Sequence, residues 1–305
     1  MTGPRPHHSE QSGLLLALAG FILLSLGDAV VKSMSADWAP TAIATLRHTL
    51  GAVGLSAMLL AREGSAAFAM PRPGLQLMRG TAVGVATIAF FAALLLMPLA
   101  EATTIVFASP IITALLAPIF LGERATWASW IAAAMAFVGV AIVLRPNLGE
   151  LGAAALLPLL AAIAMSVLFM GNRAVAGVAS ALAMQAFVAL CALPVMLAAT
   201  VLGHLSGVEA LTVGVPSMAV VVKCAVVACT ASSGHWLIYL GTTRAGASSV
   251  APMTYVQLIV AVGLGWLWFG DRPDAVAMAG AAVIVCAGLI LWRAGISKPP
   301  EIAGR

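Results

Sequence analysis

The sequence predicts an all-α integral membrane protein of ten transmembrane helices, built as two inverted five-helix repeats. Three observations predict it: a composition too apolar for a water-facing surface, ten apolar runs of bilayer-spanning length, and motifs of the first half that return in the second. Of 305 residues, 62% are hydrophobic and 9% charged, and the mean hydropathy is +1.07. A soluble domain devotes about a quarter of its residues to charge, because its surface must face water. The net charge of +4 and pI of 9.2 would point a soluble protein toward nucleic acid. Here they record topology, since cations collect in cytoplasmic loops, and no nucleic-acid partner is expected. Collagenous, disordered and disulfide-stapled chains are excluded on composition.

A bilayer core about 30 Å thick takes roughly 20 residues of helix. In chain order, runs of that size bounded by charge, Gly or Pro are Gly13–Met34, Pro40–Ala61, Leu75–Met97, Ala100–Leu121, Ala125–Leu144, Gly152–Asn172, Val178–Val201, Val213–Leu240, Ala245–Phe269 and Pro273–Trp292. Membrane β-strands are about ten residues long and alternate in polarity, which these continuous runs do not. The polar start, Met1–Ser12, followed by an apolar run imitates a secretory signal; nine further apolar runs argue against a cleaved, exported product. With both termini cytoplasmic, the inner loops and tails receive Arg5, Arg62, Arg72, Arg79, Arg124, Arg173, Arg244, Arg293, Lys298 and Arg305. The outer loops receive Arg145 and Arg272, and Lys32, Arg47 and Lys223 fall inside or near the ends of spans, so the charge rule favours this orientation. Trp38, Trp127, Trp130, Trp268 and Trp292 stand at span ends, as interfacial anchors do.

Gly122-Glu123-Arg124 returns as Gly270-Asp271-Arg272, and Ala100-Glu101-Ala102-Thr103-Thr104 as Ala245-Gly246-Ala247-Ser248-Ser249. The chain is five helices written twice, and because five is odd the second copy enters the membrane inverted, an arrangement of transporters. The expected division is a cytoplasmic tail over 1–12, a first repeat over 13–147, a second over 148–293 and a cytoplasmic tail over 294–305. These features resemble the ten-helix EamA branch of the drug/metabolite transporter superfamily. Within that branch His48 on the second helix, the Phe90-Phe91 pair and the stretch Val250-Ala251-Pro252-Met253-Thr254-Tyr255 are similar to aromatic amino-acid exporters of Gram-negative bacteria. The resemblance implies a monomeric basket of ten helices around a central cavity, in the bacterial inner membrane, that moves substrate out of the cytoplasm.

Ionisable residues inside a bilayer are costly and normally face protein or water, so they lead the candidates. Asp28 and Lys32, four residues apart, can form a self-neutralising pair on helix one or take a coupling or gating role. Adjacent helical residues diverge by about 100°, so Arg47 and His48 cannot face one cavity together. His48 is the preferred cavity residue; Arg47 can bind a carboxylate, but snorkelling to the outer headgroups is the simpler reading. Lys223 on helix eight needs a partner or water and joins the gating candidates. His235, Trp236 and Tyr239 near the inner end of that helix line the path or form an interfacial belt. Thr254, Tyr255 and Gln257 follow Pro252 on helix nine, and Pro110 and Pro158 interrupt helices four and six. A proline frees carbonyls that only a cavity or a neighbour can satisfy, so matched breaks point to the site. Phe90, Phe91, Met165 and Phe169 can form an adaptable wall for a planar substrate, or plain packing.

The faces Gly80/Gly84, Ala132/Ala136 and Gly280/Ile284/Gly288 read as close helix packing, with a weak homodimer secondary to a monomer. Cys191, Cys224, Cys229 and Cys286 show no ligand spacing and read as reduced packing residues, so neither metal nor cofactor is expected. No Walker A sequence or ATPase-sized loop is present. An intramembrane enzyme would need a metal or nucleophile constellation, and a channel would need carbonyl loops or charged rings; neither is visible. The leading reading is a secondary exporter of amino acids, aromatic or otherwise neutral, or of similar small metabolites, by alternating access.

Overall fold

The computed structural model describes residues 7–109, 111–113, 115–116, 127–144, 156–175, 177–245 and 251–296. They are helical, with no strand among them: α1 (His7–Lys32), α2 (Pro40–Glu63), α3 (Pro73–Leu96), α4 (Leu99–Val106), α5 (Trp127–Leu144), α6 (Leu157–Ala174), α7 (Ala181–Leu205), α8 (Met218–Ala245), α9 (Val256–Phe269) and α10 (Ala275–Ile296). Five of these, α1, α2, α3, α7 and α8, contain stretches long and apolar enough to cross a membrane by themselves. The apolar stretches of the other helices are shorter within the described residues, which therefore establish five helices of crossing length. The first helix also starts earlier than the polar tail suggested, at His7.

The helix starts follow local chemistry. Pro40 and Pro73 occupy the first positions of α2 and α3, where a missing N–H costs nothing. The Ser180 hydroxyl accepts from Ala183 N at 3.0 Å to cap α7, and the Asp274 carboxylate accepts from Val276 N and Ala277 N at 3.1 and 2.8 Å at the head of α10. Gly270, at φ 71°, closes α9: its N–H reaches Trp266 O and that of Asp271 reaches Gly265 O. Only a residue that tolerates the left-handed region completes this paired cap.

Alanine dominates the buried residues, whereas Trp127, Trp130, Leu267, Ile259 and Leu202 are among the large exposed ones. Large apolar groups outside and small ones between helices is the reverse of a soluble core, and it lets backbones approach in lipid. A Cβ added at Gly20 of α1 would lie 2.6 Å from Gly234 O of α8, and one at Gly241 the same distance from Gly13 O. These two helices form the most extensive pair, followed by α3 with α6 and α5 with α10. The Gly80/Gly84 face packs within the chain, against Cys191, Ala192 and Val195 of α7. Hydroxyls serve as interhelical glue: Ser25 donates to Gln257 O at 3.0 Å, and Thr45 and Thr200 pair at 2.8 Å.

Several charges sit where the sequence did not place them. The predicted Asp28–Lys32 pair does not form: the Lys32 ammonium is 2.8 Å from Asp271, 3.4 Å from Met97 O and over the Phe269 ring at 5.3 Å. The α9 cap aims Asp271 at a partner 239 positions away, which local spacing could not disclose. Lys223 lies in the second turn of α8 and reaches the α1–α2 turn, 3.3 Å from Ser33 O and 3.8 Å from Asp37. Arg79, counted as a loop charge, is 4% exposed inside α3. Its Nε donates to Asn172 of α6 at 2.7 Å and its Nη1 to Gln76 of the same helix. Near this end Arg72 donates to Ala174 O at 2.6 Å. Gly122, Glu123, Arg124, Pro110, Arg145 and 246–250 lie outside the described residues.

Candidate functional site

A charged cluster is assembled by α1, α2, α3 and α8 from side chains that keep access to the surface: Asp28, Arg47 and His48 are half-buried and His235 is exposed. Arg47 does not snorkel outward: its guanidinium lies 5.2 Å from the centre of the Phe91 ring, and Phe91 is 3% exposed. The negative face of an aromatic ring attracts a cation at this separation. The Nε of Arg47 has no water-accessible surface and no hydrogen-bond partner. Asp28, half-buried on α1, interacts electrostatically with Arg47, as does Cys224, which is wholly buried on α8. Among the described residues, neither Asp28 nor Arg47 makes a hydrogen bond or an ion pair within 4.0 Å.

His48 diverges from Arg47 as adjacent helical residues must. Its Nδ1 is sealed from water and has no hydrogen-bond partner. His235 of α8 interacts electrostatically with both Arg47 and His48, while its own Nδ1 sits 2.7 Å from Ala231 O. Phe90, half-buried, meets Phe91 with centroids 6.4 Å apart, tilted by 54°. Asp28, Arg47, His48, Phe91 and His235 thus come together. Arg47 is the member that sequence reading set aside; its signal was present, a lone charge deep in a span, but rotation about the helix axis decides where such a charge points.

The remaining candidates are distributed elsewhere. Trp236 packs with Leu55 and Phe68 against Leu59, Leu182 and Phe187, between α2 and α7, and Tyr239 is exposed. Met165 and Phe169 share a half-buried face of α6, and none of the contacts defining the Arg47 cluster involves them. Lys32 and Lys223 belong to the α1–α2 end described above.

Two helix interruptions meet away from this cluster. The fourth helix stops at Val106, and the Ser109 carbonyl beyond it accepts from Thr113 Oγ1 and from Ser166 Oγ of α6, both at 2.8 Å. In the second half Ala251–Tyr255 is a 3-10 turn that runs into α9. Tyr255 from this turn meets Phe107 from the other edge to face, with centroids 5.8 Å apart. Its hydroxyl occupies the notch left by Gly288 of α10, where an added Cβ would lie 1.2 Å away. Thr254 donates to Gln257 Oε1 at 3.2 Å. Irregular backbone at membrane depth persists only where neighbours satisfy it, and here hydroxyl groups do so at Ser109.

Residues 11–145 match the EamA-like transporter family. Over nearly its whole length the chain is similar to three bacterial transporters. It is 29% identical to a riboflavin transporter of Rhizobium johnstonii, over 94% of this chain and 93% of that protein. It is 26% identical to a pseudopaline exporter of Pseudomonas aeruginosa (93% and 96%), and 23% identical to an S-adenosylmethionine uptake transporter of Rickettsia prowazekii (92% of each). None of these three is named for an aromatic amino acid. A solved structure matches with a TM-score of 0.61 and 20% identity, over 94% of this chain and 99% of that one, a likeness of fold.

Proposed function

We propose that this chain, a bacterial membrane transporter of the EamA-like family, is a secondary exporter of small metabolites, neutral or aromatic amino acids foremost, working by alternating access. The observation that carries this reading is the Arg47 cluster: a half-buried cation over an aromatic ring, with a carboxylate in electrostatic contact and a sealed Nε that has no hydrogen-bond partner. Ionisable groups in a membrane are retained there for function when they are not needed to satisfy one another. The direction and the amino-acid cargo rest on the resemblance of His48, Phe90-Phe91 and the Val250–Tyr255 stretch, since the relatives are named for uptake as well as export.

The helix pairing supports a mechanism of rocking halves. In a five-helix duplication α1 corresponds to α6, α2 to α7, and so on to α5 and α10. The pairing α1–α8 is then the image of α6–α3, α2–α8 of α7–α3 and α1–α9 of α6–α4, while α2–α7, α4–α9 and α5–α10 pair counterparts directly. Halves related in this way can exchange mirror-related states. At the α1–α2 end, Lys32–Asp271, Lys223–Asp37 and the Trp38 indole donating to Gly214 O at 2.9 Å tie first-half segments to second-half ones. With both termini cytoplasmic this is the external face, so these ties keep the external side shut.

Proteoliposome counterflow without ATP, screened with aromatic and neutral amino acids and riboflavin, tests the reading. Saturable, competable exchange of at least one solute is expected. Absence of counterflow for every solute, with protein correctly inserted, would overturn it.

A further inference from the structure

We propose that Asp28 and Arg47 form a divided receptor for a zwitterionic head group. The Arg47 guanidinium takes a carboxylate of the substrate, the Asp28 carboxylate takes its ammonium, and Phe91 offers the adjoining aromatic surface. This rests on the transport reading and deepens it, by assigning to two residues the recognition of the head group, which neither the family match nor the relatives' names supply.

Three features of the cluster lead there. The first is charge balance: one carboxylate and one guanidinium interact through space, so the pair adds no net charge to an apolar interior. The second is that they stay apart. Neither forms an ion pair or hydrogen bond among the described residues, and the nearest cation along α1, Lys32, is already taken by Asp271 at 2.8 Å. The third is that Arg47 Nε is sealed from water with nothing to donate to, while Phe91 holds the guanidinium from one side at 5.2 Å.

A sealed donor left without an acceptor is destabilising, and the rest of Arg47 and Asp28, half-buried, stays open to a solute that completes them. A guanidinium presents a planar fork of donors that fits the two oxygens of a carboxylate, and a carboxylate accepts from an ammonium group. Charge selects further. A simple anion would meet the repulsion of Asp28, and a simple cation that of Arg47; only a solute carrying both charges, set apart as in an amino-acid head group, satisfies both.

The test uses the full-length protein in liposomes, with phenylalanine, S-adenosylmethionine and riboflavin each as the driving solute for counterflow. Phenylalanine uptake is then competed with phenethylamine, which lacks the carboxylate, and with 3-phenylpropanoate, which lacks the ammonium. The wild type is expected to carry the two head-group solutes, and each truncated competitor to be at least tenfold weaker than phenylalanine. Asp28→Asn should shift preference toward 3-phenylpropanoate and Arg47→Gln toward phenethylamine, each by tenfold or more relative to phenylalanine. The wild-type comparison requires no variant, so poor folding of either variant leaves a decisive measurement. Competitors equal to phenylalanine, or counterflow of riboflavin alone, would overturn the divided receptor and leave the transport reading standing. No counterflow of any solute would bring down both.

Discussion

Two arginines of the helix bundle carry the same charge to different depths, Arg79 buried and Arg47 half-buried, and are treated in opposite ways. Arg79 of α3 has its Nε on Asn172 of α6, its Nη1 on Gln76 and a further contact to Met184 Sδ of α7 at 3.5 Å. Arg47 of α2 has a ring beneath it and no hydrogen bond among the described residues. Burying a guanidinium carries a desolvation penalty of several kcal/mol, recovered only through good geometry and complete hydrogen bonding. Arg79 recovers it inside the protein and so fastens three helices together. Arg47 does not, and that deficit is the ground for proposing that a ligand completes it. The contrast separates structural charge from functional charge without reference to conservation.

The sharpest way to break this comparison is to remove the charge from each side with a side chain of similar length. Arg79→Met strips the partners from Asn172 and Gln76, and hydrogen bonds to charged groups contribute about 1.5–3 kcal/mol each. The variant should lose about 3 kcal/mol of stability, read as a lower melting temperature of the purified protein, with transport per folded molecule within about twofold of wild type. Wild-type melting would show that the Arg79 network is ornamental.

Arg47→Met should do the reverse. Among the described residues Arg47 gives up no hydrogen bond on replacement, so the variant should lose less stability than Arg79→Met, by about 1 kcal/mol or more. Transport of head-group solutes should fall more than tenfold, a loss exceeding about 1.4 kcal/mol in transition-state terms. If this variant melts early and transports normally, the roles of the two arginines have been exchanged.

The smallest expected effect belongs to the end ties. Lys32 and Asp271 have side-chain exposures of 13% and 25%, and Lys223 and Asp37 are more exposed still, so each tie contributes about 1 kcal/mol or less. Lys32→Gln should leave melting almost unchanged and alter the exchange rate about twofold, by favouring the externally open state. The double variant Lys32→Asp with Asp271→Lys should restore it. A defect that the reversed pair does not repair would assign Lys32 to something other than the tie.

The legibility of the chain divides along the same line. Stretches around α1, α2, α3, α7 and α8 could be read directly, because a bilayer demands about 20 apolar residues in a row, a length that a water-facing helix with its polar stripe does not reach. The interruption after Val106 and the 3-10 turn at Ala251–Tyr255 were foreshadowed by Pro110 and Pro252, since proline cannot continue a hydrogen-bonded ladder. Short helices were harder: α4 is an eight-residue piece of what reads as one 22-residue run. Hydropathy reports solvent and says nothing of where the backbone bends. The candidate site was half legible: His48, Phe91, His235 and Asp28 could be named from their types and depth, yet Trp236, one residue from His235, faces another pair of helices.

What the sequence by itself determined is therefore whatever depends on composition and local period: a membrane-embedded helical chain, its helix order, the recurrence of a Gly-acid-Arg turn, and which charges would be costly enough to matter. What only the tertiary structure decided is which way those charges face and whom they meet. Lys32 passes over a carboxylate four residues away for one that the α9 cap presents from 239 positions further on, and Arg47 turns inward over Phe91 instead of outward to headgroups. The reason is physical. Insertion in lipid is set by each segment's own transfer free energy, while electrostatics in a low-dielectric interior depends on distances of a few ångströms, and those are fixed only when the helices have packed.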